Sequence, residues 1–257
     1  MFDKELETAK NLAYLSGKIM LEYFDGDQQL EHKPDGSEVT IADKLINRLV
    51  IEELSKHFDD GVIGEEESSA GYGGGRKWFC DPIDGTKAYV QGLPTATFSL
   101  ALVVDGQPKM GVIYDPFLDR LYWGQTGQGS FCNQQKLKVS NEEIDGSFIG
   151  INTHFEKIIK NPAYFEALVK LGAKTTPVHG TVYKGTLVAR GKFAGFIEPG
   201  TNAHDVAALQ VIVQEAGGKA SGVNGETLDY SQPFKNAIVS NGVVHQQIVD
   251  CGKLLNL

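Results

Sequence analysis

Three features of the 257-residue chain predict a layered α/β fold, α+β in the order of its elements. A long amphipathic stretch opens the chain. Apolar segments separated by turn dipeptides then run between Thr97 and Gly124. Beyond a polar stretch at Ser140 to Asp145, strand-like and helix-like segments alternate. The polar stretch is read as a seam. It joins an N-terminal α+β half, residues 1–143, carrying an antiparallel sheet, to a C-terminal α/β half, residues 144–257. A chain of 257 residues can bury a sizeable core as one domain of two closely joined halves.

The elements follow in order. Leu6, Leu12, Leu15, Ile19 and Tyr23 fall on or near one face of a helix over Lys4 to Phe24. A loop from Asp25 to Asp35 follows, then a helix from Asp43 to His57 whose apolar residues Leu45, Ile46, Leu49, Val50 and Leu54 recur at helical spacing. Val62-Ile63 reads as a short strand, and Gly71 to Arg76 as a glycine-rich, mobile surface connector. Trp78-Phe79-Cys80 enters Asp81-Pro82 as a buried strand that stops there, because proline cannot continue a central ladder. A helix is expected to start at Thr86. Thr97 to Val104, Lys109 to Tyr114 and Leu121 to Gly124 form a meander, punctuated by Asp105-Gly106 and Asp115-Pro116. In the second half, strands are expected at Ser147 to Ile151, Thr175 to Val178, Gly195 to Glu198 and Ala237 to Ser240. Helices are expected near Pro162 to Leu171, Tyr183 to Arg190 and Asp205 to Ala216.

Composition narrows the function classes. A formal net charge of −9 argues against a broad nucleic-acid surface. Three scattered cysteines, Cys80, Cys132 and Cys251, suggest a reducing compartment. No basic-then-apolar leader and no span of roughly 20 apolar residues is present, so cytoplasmic residence without membrane insertion is the default. The 30 glycines lie at turns and form no repeat.

Carboxylates gather at the ends of apolar segments. Asp81 and Asp84 flank Pro82-Ile83 at a strand mouth, where α/β proteins hold ligands. Oxygen donors of this kind select Mg²⁺, Mn²⁺ or Ca²⁺. A helix beginning at Thr86 would aim the amides of Gly85, Thr86 and Lys87 at an anion. Val62-Ile63-Gly64 likewise runs into Glu65, Glu66 and Glu67, and Asp205 opens a third cluster. Each has an ordinary alternative. Asp84-Gly85-Thr86 also reads as a turn with an N-cap, Asp205 as an N-cap, and Asp43 as a helix N-terminal acid. Lys87 reaches for phosphate or is merely solvated, and His204 lines a pocket or packs as a ring.

Taken together, KPDGSEVTIAD at Lys33 to Asp43, GEEES at Gly64 to Ser68, DPIDGT at Asp81 to Thr86, EPGTNAHD at Glu198 to Asp205 and the glycine pair Gly217-Gly218 resemble the inositol monophosphatase superfamily over nearly the whole chain. The resemblance implies an α-β-α-β-α sandwich of the sugar-phosphatase type, and a magnesium-dependent, lithium-sensitive phosphomonoesterase that uses two to three ions, with Mn²⁺ a substitute. By the same resemblance, Glu65, Asp81 and the carbonyl of Ile83 bind the first metal, and Asp81, Asp84 and Asp205 the second. Glu65 also faces a third ion. Asp43 and Thr86 orient and deprotonate the attacking water, and Glu198 contacts the alcohol of the substrate. A homodimer is expected from the family alone.

The resemblance implies a small phosphorylated metabolite as substrate. KAYVQGLP at Lys87 to Pro94 and the run His179-Gly180-Thr181-Val182-Tyr183 look like the histidinol-phosphate phosphatase branch. His179 and Thr181 nevertheless depart from that branch's Gly-Gly-Asp-Cys-Tyr, which removes one acidic contact to a cationic amino alcohol. Inositol monophosphate and histidinol phosphate are the first substrates to consider. The alternatives are a 3′(2′),5′-bisphosphate nucleotidase and a noncatalytic regulatory member that binds protein or RNA.

Overall fold

A computed structural model describes residues 2–34, 36–151, 159–198 and 200–255, leaving aside the side chain of Glu198. Helix α1 (Asp3–Phe24) leads to the short strands β1 (Glu31–His32) and β2 (Glu38–Val39), then to α2 (Ile41–His57). A seven-stranded sheet follows, made of β3 (Gly61–Gly64), β4 (Arg76–Asp84), β5 (Thr97–Val104), β6 (Gln107–Asp115), β7 (Arg120–Gln125), β8 (Gly129–Cys132) and β9 (Gln135–Lys136). Its spatial order is the chain order. The β3–β4 pair is parallel and every other pair is antiparallel. The five-residue helix α3 (Thr86–Val90) sits between β4 and β5.

The second sheet contains β10 (Ile149–Gly150), β11 (Gly195–Glu198), β12 (Lys219–Ser221) and β13 (Ala237–Ser240), ordered β10-β11-β13-β12. Helices α4 (Pro162–Lys170), α5 (Thr181–Ala189), α6 (Ala203–Glu215) and α7 (His245–Gly252) accompany it.

Residue parity explains the layering, because successive strand residues point to opposite faces. Trp78, Cys80, Leu100, Leu102, Met110 and Val112 pack with Leu6, Leu12, Ile46, Val50 and Leu54 of α1 and α2. The alternate residues Phe79, Ala101, Val103 and Ile113 pack with Val182 of α5 and with Leu209, Ile212 and Val213 of α6. The small sheet is sorted the same way. Phe196 and Val239 join the core around α6, whereas Ile197 and Ile238 join Tyr164 and Leu168 of α4 and Ile248 and Val249 of α7. Five layers result: helix, sheet, helix, sheet, helix. Strands covered on both faces read as continuous apolar runs, as Thr97 to Val104 does. The central helix α6 is buried from Val206 through Val213 and so lacks an amphipathic stripe.

Two sequence expectations need correction. Strand β4 does not stop at Asp81. It runs through Pro82 to Asp84, and its pairing with β5 shifts register between Asp81 (opposite Ser99) and Asp84 (opposite Thr97), so that Pro82 and Ile83 face Phe98 alone. A bulge absorbs the missing N–H of Pro82 and lets the strand continue. Thr175 to Val178 is not a strand. Only Lys174 bridges, to Phe148, and Pro177 has no donor with which to extend the pairing. Strands β8, β9 and β12 and helix α7 are further elements that the sequence pattern did not separate from turns.

Candidate active site

The bulge in β4 is what builds the site. Phe79 and Asp81 point toward the α5/α6 layer. Ile83 would follow them in a regular strand, yet it lies in the α1/α2 core. The face has therefore switched, and Asp84 emerges on the same side as Asp81. Both are buried, at 2% and 6% exposure. Bulges re-aim side chains in this way beside functional sites.

Asp84 meets the N-terminus of α5. Its Oδ1 accepts from the Thr181 amide at 2.9 Å, and its Oδ2 accepts from the amides of Val182 at 3.0 Å and Tyr183 at 3.3 Å. A carboxylate placed on the free amides of a helix start satisfies donors that have no partner within the helix. The approach depends on glycine. Gly180 has φ +84°, and a Cβ there would stand 2.7 Å from Asp84 Oδ2; Gly85, at φ +86°, lies against Gly180.

Asp205, in the first turn of α6, accepts from the Asn202 amide at 2.7 Å through Oδ2, and His204 Nε2 lies 3.3 Å from its Oδ1. Glu65, just past β3, pairs with Lys33 at 3.0 Å, and the same ammonium lies 2.7 Å from Glu66. Burial lowers the affinity of Lys33 for its proton, but Glu65 and Glu66 outweigh it and hold the ammonium charged.

The carboxylates disturb one another. Burial first, then the charges of Glu65, Asp205 and Asp84, push Asp81 well above the ordinary carboxylate range. Burial and Asp205 push Asp84 up to about 7, against the Lys184 charge and the α5 amides. Burial raises Asp205 as well, with His204 opposing. Asp81 Oδ1 is buried and accepts no hydrogen bond. Such a cluster of hard oxygen donors is short of positive charge, which suits a hard divalent cation. As the side chains stand, no three His, Cys, Asp or Glu residues among those described are grouped as ligands about one ion. Glu65 is drawn to Lys33, while Asp84 and Asp205 are turned to backbone amides.

A depression of about 220 Å³ collects Glu65, Asp84, Gly85, Thr86, Lys87 and Thr181 on its wall. Asp81 and Asp205 do not line it, but the charge of Asp205 acts on Asp84 and that of Asp84 on Asp81. Asp43 is fully buried at the start of α2, and its Oδ2 accepts from the Thr40 amide at 2.8 Å and the Thr40 hydroxyl at 2.6 Å. Burial raises it to about 7 despite those bonds. The expected Asp43–Thr86 relay is not hydrogen-bonded in this arrangement. Thr86 Oγ1 donates to the Ile83 carbonyl at 3.0 Å, and Asp43 Oδ1 accepts nothing. Glu198 belongs to β11 by its backbone, and its side chain lies outside the described residues.

The sequence reading missed two residues near the carboxylates. Lys184, 4% exposed, lines the depression and acts on Asp84. It stands at a core-facing position of α5, and nothing in the pattern marks it. Tyr72, in the glycine-rich connector, packs edge-on against Phe79 at 5.9 Å and is raised by burial and by Asp205. That connector is also anchored, since Gly75 donates to Asp105 and Arg76 pairs with Glu5 and Asp60.

The sequence model of the inositol monophosphatase family matches residues 2–251. The chain belongs to that family. A protein of Aquifex aeolicus described as fructose-1,6-bisphosphatase/inositol-1-monophosphatase is 32% identical over 260 residues, covering 97% of this chain and 96% of its own. A histidinol-phosphatase of Chlorobaculum parvum is 34% identical over 83% of this chain and 84% of its own. The Nus factor SuhB of Pasteurella multocida is 31% identical over 86% and 85%. Among solved structures, the IMPase of Thermotoga maritima superposes with a TM-score of 0.88 at 28% identity, covering 97% of both chains. The five-layer architecture is thus the inositol monophosphatase fold. Membership implies a phosphatase of a generally metal-dependent kind acting on small phosphorylated compounds. Among the described residues no helix is long and apolar enough to cross a membrane.

Proposed function

We propose that this protein is an Mg²⁺-dependent phosphomonoesterase acting on a small polar phosphate monoester, with inositol monophosphate and histidinol phosphate the first substrates to test. The observation that carries the reading is the trio Asp81, Asp84 and Asp205, buried together with their proton affinity raised by burial and by neighbouring carboxylates, with half-buried Glu65 adding its charge to Asp81 and Asp205. Glu65, Asp81 and the Ile83 carbonyl would hold one ion, and Asp81, Asp84 and Asp205 a second, with Mn²⁺ as a substitute. When bound, such ions offset phosphoryl charge and acidify water.

The chain's own residues do the rest. Turning Glu65 away from Lys33 frees it for the cluster and leaves the ammonium beside Glu66. Gly85, Thr86 and Lys87 line the depression at the start of α3, where their free amides would position the phosphate, with Thr181 also at its wall. Thr86, released from the Ile83 carbonyl, aligns a water oxygen and passes its proton toward Asp43, whose raised affinity suits a base working near neutral pH. Glu198 takes the substrate hydroxyl or amine.

The similarity to a histidinol-phosphatase favours an amino alcohol phosphate, and the similarity to a fructose bisphosphatase/inositol monophosphatase favours a polyol phosphate. Residue Thr181 tips the balance to the polyol, because an acidic partner for a cation is absent there. The similarity to a Nus factor supports a second reading, a regulatory role with weak turnover or none. Phosphate release from inositol 1-phosphate, histidinol phosphate and adenosine 3′,5′-bisphosphate, each with Mg²⁺ and again with EDTA, decides among these. EDTA-sensitive release that is fastest on inositol 1-phosphate is expected. No release from any of them, with Mg²⁺ bound, moves the assignment to the regulatory reading. Millimolar lithium should inhibit, and sedimentation should show a homodimer.

A further inference from the structure

A second concavity, about 840 Å³ in volume and sharing no wall residue with the carboxylate site, is lined by Arg120, Lys136, Lys138, Arg190 and Lys192. Five cations in one depression stand out on a chain of net charge −9. None of the five is in an ion pair within 4.0 Å among the described residues, although ten other pairs are formed there. Of the acids on the adjoining strand and turn, Asp115 feels the charges of Arg120 and Arg190 but forms no ion pair with them, and Asp119 is turned to Tyr114. Asp115 is buried with its Oδ1 accepting from the Phe117 and Leu118 amides at 3.1 Å, and Asp119 accepts from the Tyr114 hydroxyl at 2.8 Å.

The fold brings these cations together from three segments. Arg120 begins β7, and Arg190 and Lys192 flank Gly191 just after α5. Lys136 and Lys138 flank Leu137, which is anchored in the core. The closest approach is at Gly191. Its φ is +67°, and a Cβ there would stand 3.0 Å from Ser140 N and 3.2 Å from Lys138 O, so only glycine permits the two basic segments to lie so near. Holding five like charges in one place costs repulsion that a bound anion would relieve.

We propose that this depression is a binding site for a compact polyanion, a small molecule carrying two or more phosphate groups. Its volume is that of a small-ligand pocket. Arg and Lys are the side chains that bind phosphate oxygens through charge-assisted hydrogen bonds. Single-stranded nucleic acid fits less well. The wall contains no aromatic side chain on which a base could stack, and the −9 net charge gives no attraction beyond the patch.

The test is calorimetric titration of the full chain with inorganic tripolyphosphate in EDTA, so that metal-held phosphate at the carboxylate site does not contribute. One molecule should bind per chain, more tightly than orthophosphate. Affinity should fall as salt rises. The double variant K138Q/R190Q should weaken binding by at least about tenfold, since two charge-assisted hydrogen bonds are lost. Lys87→Gln, at the other site, should leave it unchanged. A thermal midpoint for K138Q/R190Q close to that of the parent confirms folding, and K136Q/K192Q serves if that variant unfolds. Equal tripolyphosphate binding by parent and variants overturns the proposal, as does loss of binding in Lys87→Gln. Binding of single-stranded RNA in preference to tripolyphosphate also overturns it.

Discussion

The starts of α2 and α6 use the same local device in two different surroundings. Asp43 and Asp205 each occupy the third helical position and each accept from a backbone amide three residues earlier, at 2.8 and 2.7 Å. From the sequence the two are equivalent, a helix-opening acid before an apolar run. What separates them is what the rest of the fold delivers. Asp43 is enclosed with the Thr40 hydroxyl, and its raised affinity comes first from burial. Asp205 is brought by the central helix to the β4 bulge, where Asp81, Asp84 and Glu65 act together. One arrangement, with Glu65 and Glu66 adding only a smaller push, suits a base, and the other suits a cation. Helix capping therefore shows where an acid sits, while its function comes from elements distant in sequence.

The largest expected effect tests the shared cluster. Asp81→Asn should lower phosphate release more than about a hundredfold, beyond the cost of losing an outer-shell partner of a metal, while the fold persists by circular dichroism. Near-normal rates would remove Asp81 from the site. Next, Gly180→Ala should destabilise by about 2 kcal/mol in thermal unfolding, because the residue sits at positive φ and the new Cβ meets Asp84. An unchanged midpoint would show that Asp84 and α5 are not held together as described.

A smaller effect probes the other helix start. Thr40→Ala should cost about 1 kcal/mol, through lost capping and the lost bond to Asp43. The same change should push Asp43 further up, visible as an upward shift of the acid limb of the pH–rate profile. The smallest effect is a slope. Asp43 is raised in the folded state to about 7, so its contribution to stability is fully present below the unfolded carboxylate range and is lost as pH rises from there through about 7. Asp43→Asn should flatten the metal-free stability profile over that interval, measured by denaturant unfolding in EDTA. A slope equal to that of the parent would mean that Asp43 is not raised.

Much of this was legible in the sequence. The helices of the first half, the meander from Thr97 to Gly124 and the central helix near Asp205 follow from periodicity and turn residues, and the resemblance carried the layer order. The bulge did not follow. Pro82 reads as a stop because proline lacks a donor, and only the pairing of β4 with β5 shows the strand resuming and Asp84 returning to the side of Asp81. Thr175 to Val178 has the residues of a strand but no neighbour to pair with. Lys184 and Tyr72 gave no signal, because their relevance lies in distance to Asp84 and Asp205. The basic depression was invisible for the same reason, since its cations come from separate parts of the chain.

The most direct test of the central claim is Mn²⁺ binding, followed by electron paramagnetic resonance, in the parent, Asp205→Asn and Asp43→Asn. The account predicts that Asp205→Asn loses or sharply weakens binding while Asp43→Asn binds as the parent does. Equal binding by all three proteins, or equal loss in both variants, would contradict the division between a metal cluster at α6 and a base at α2.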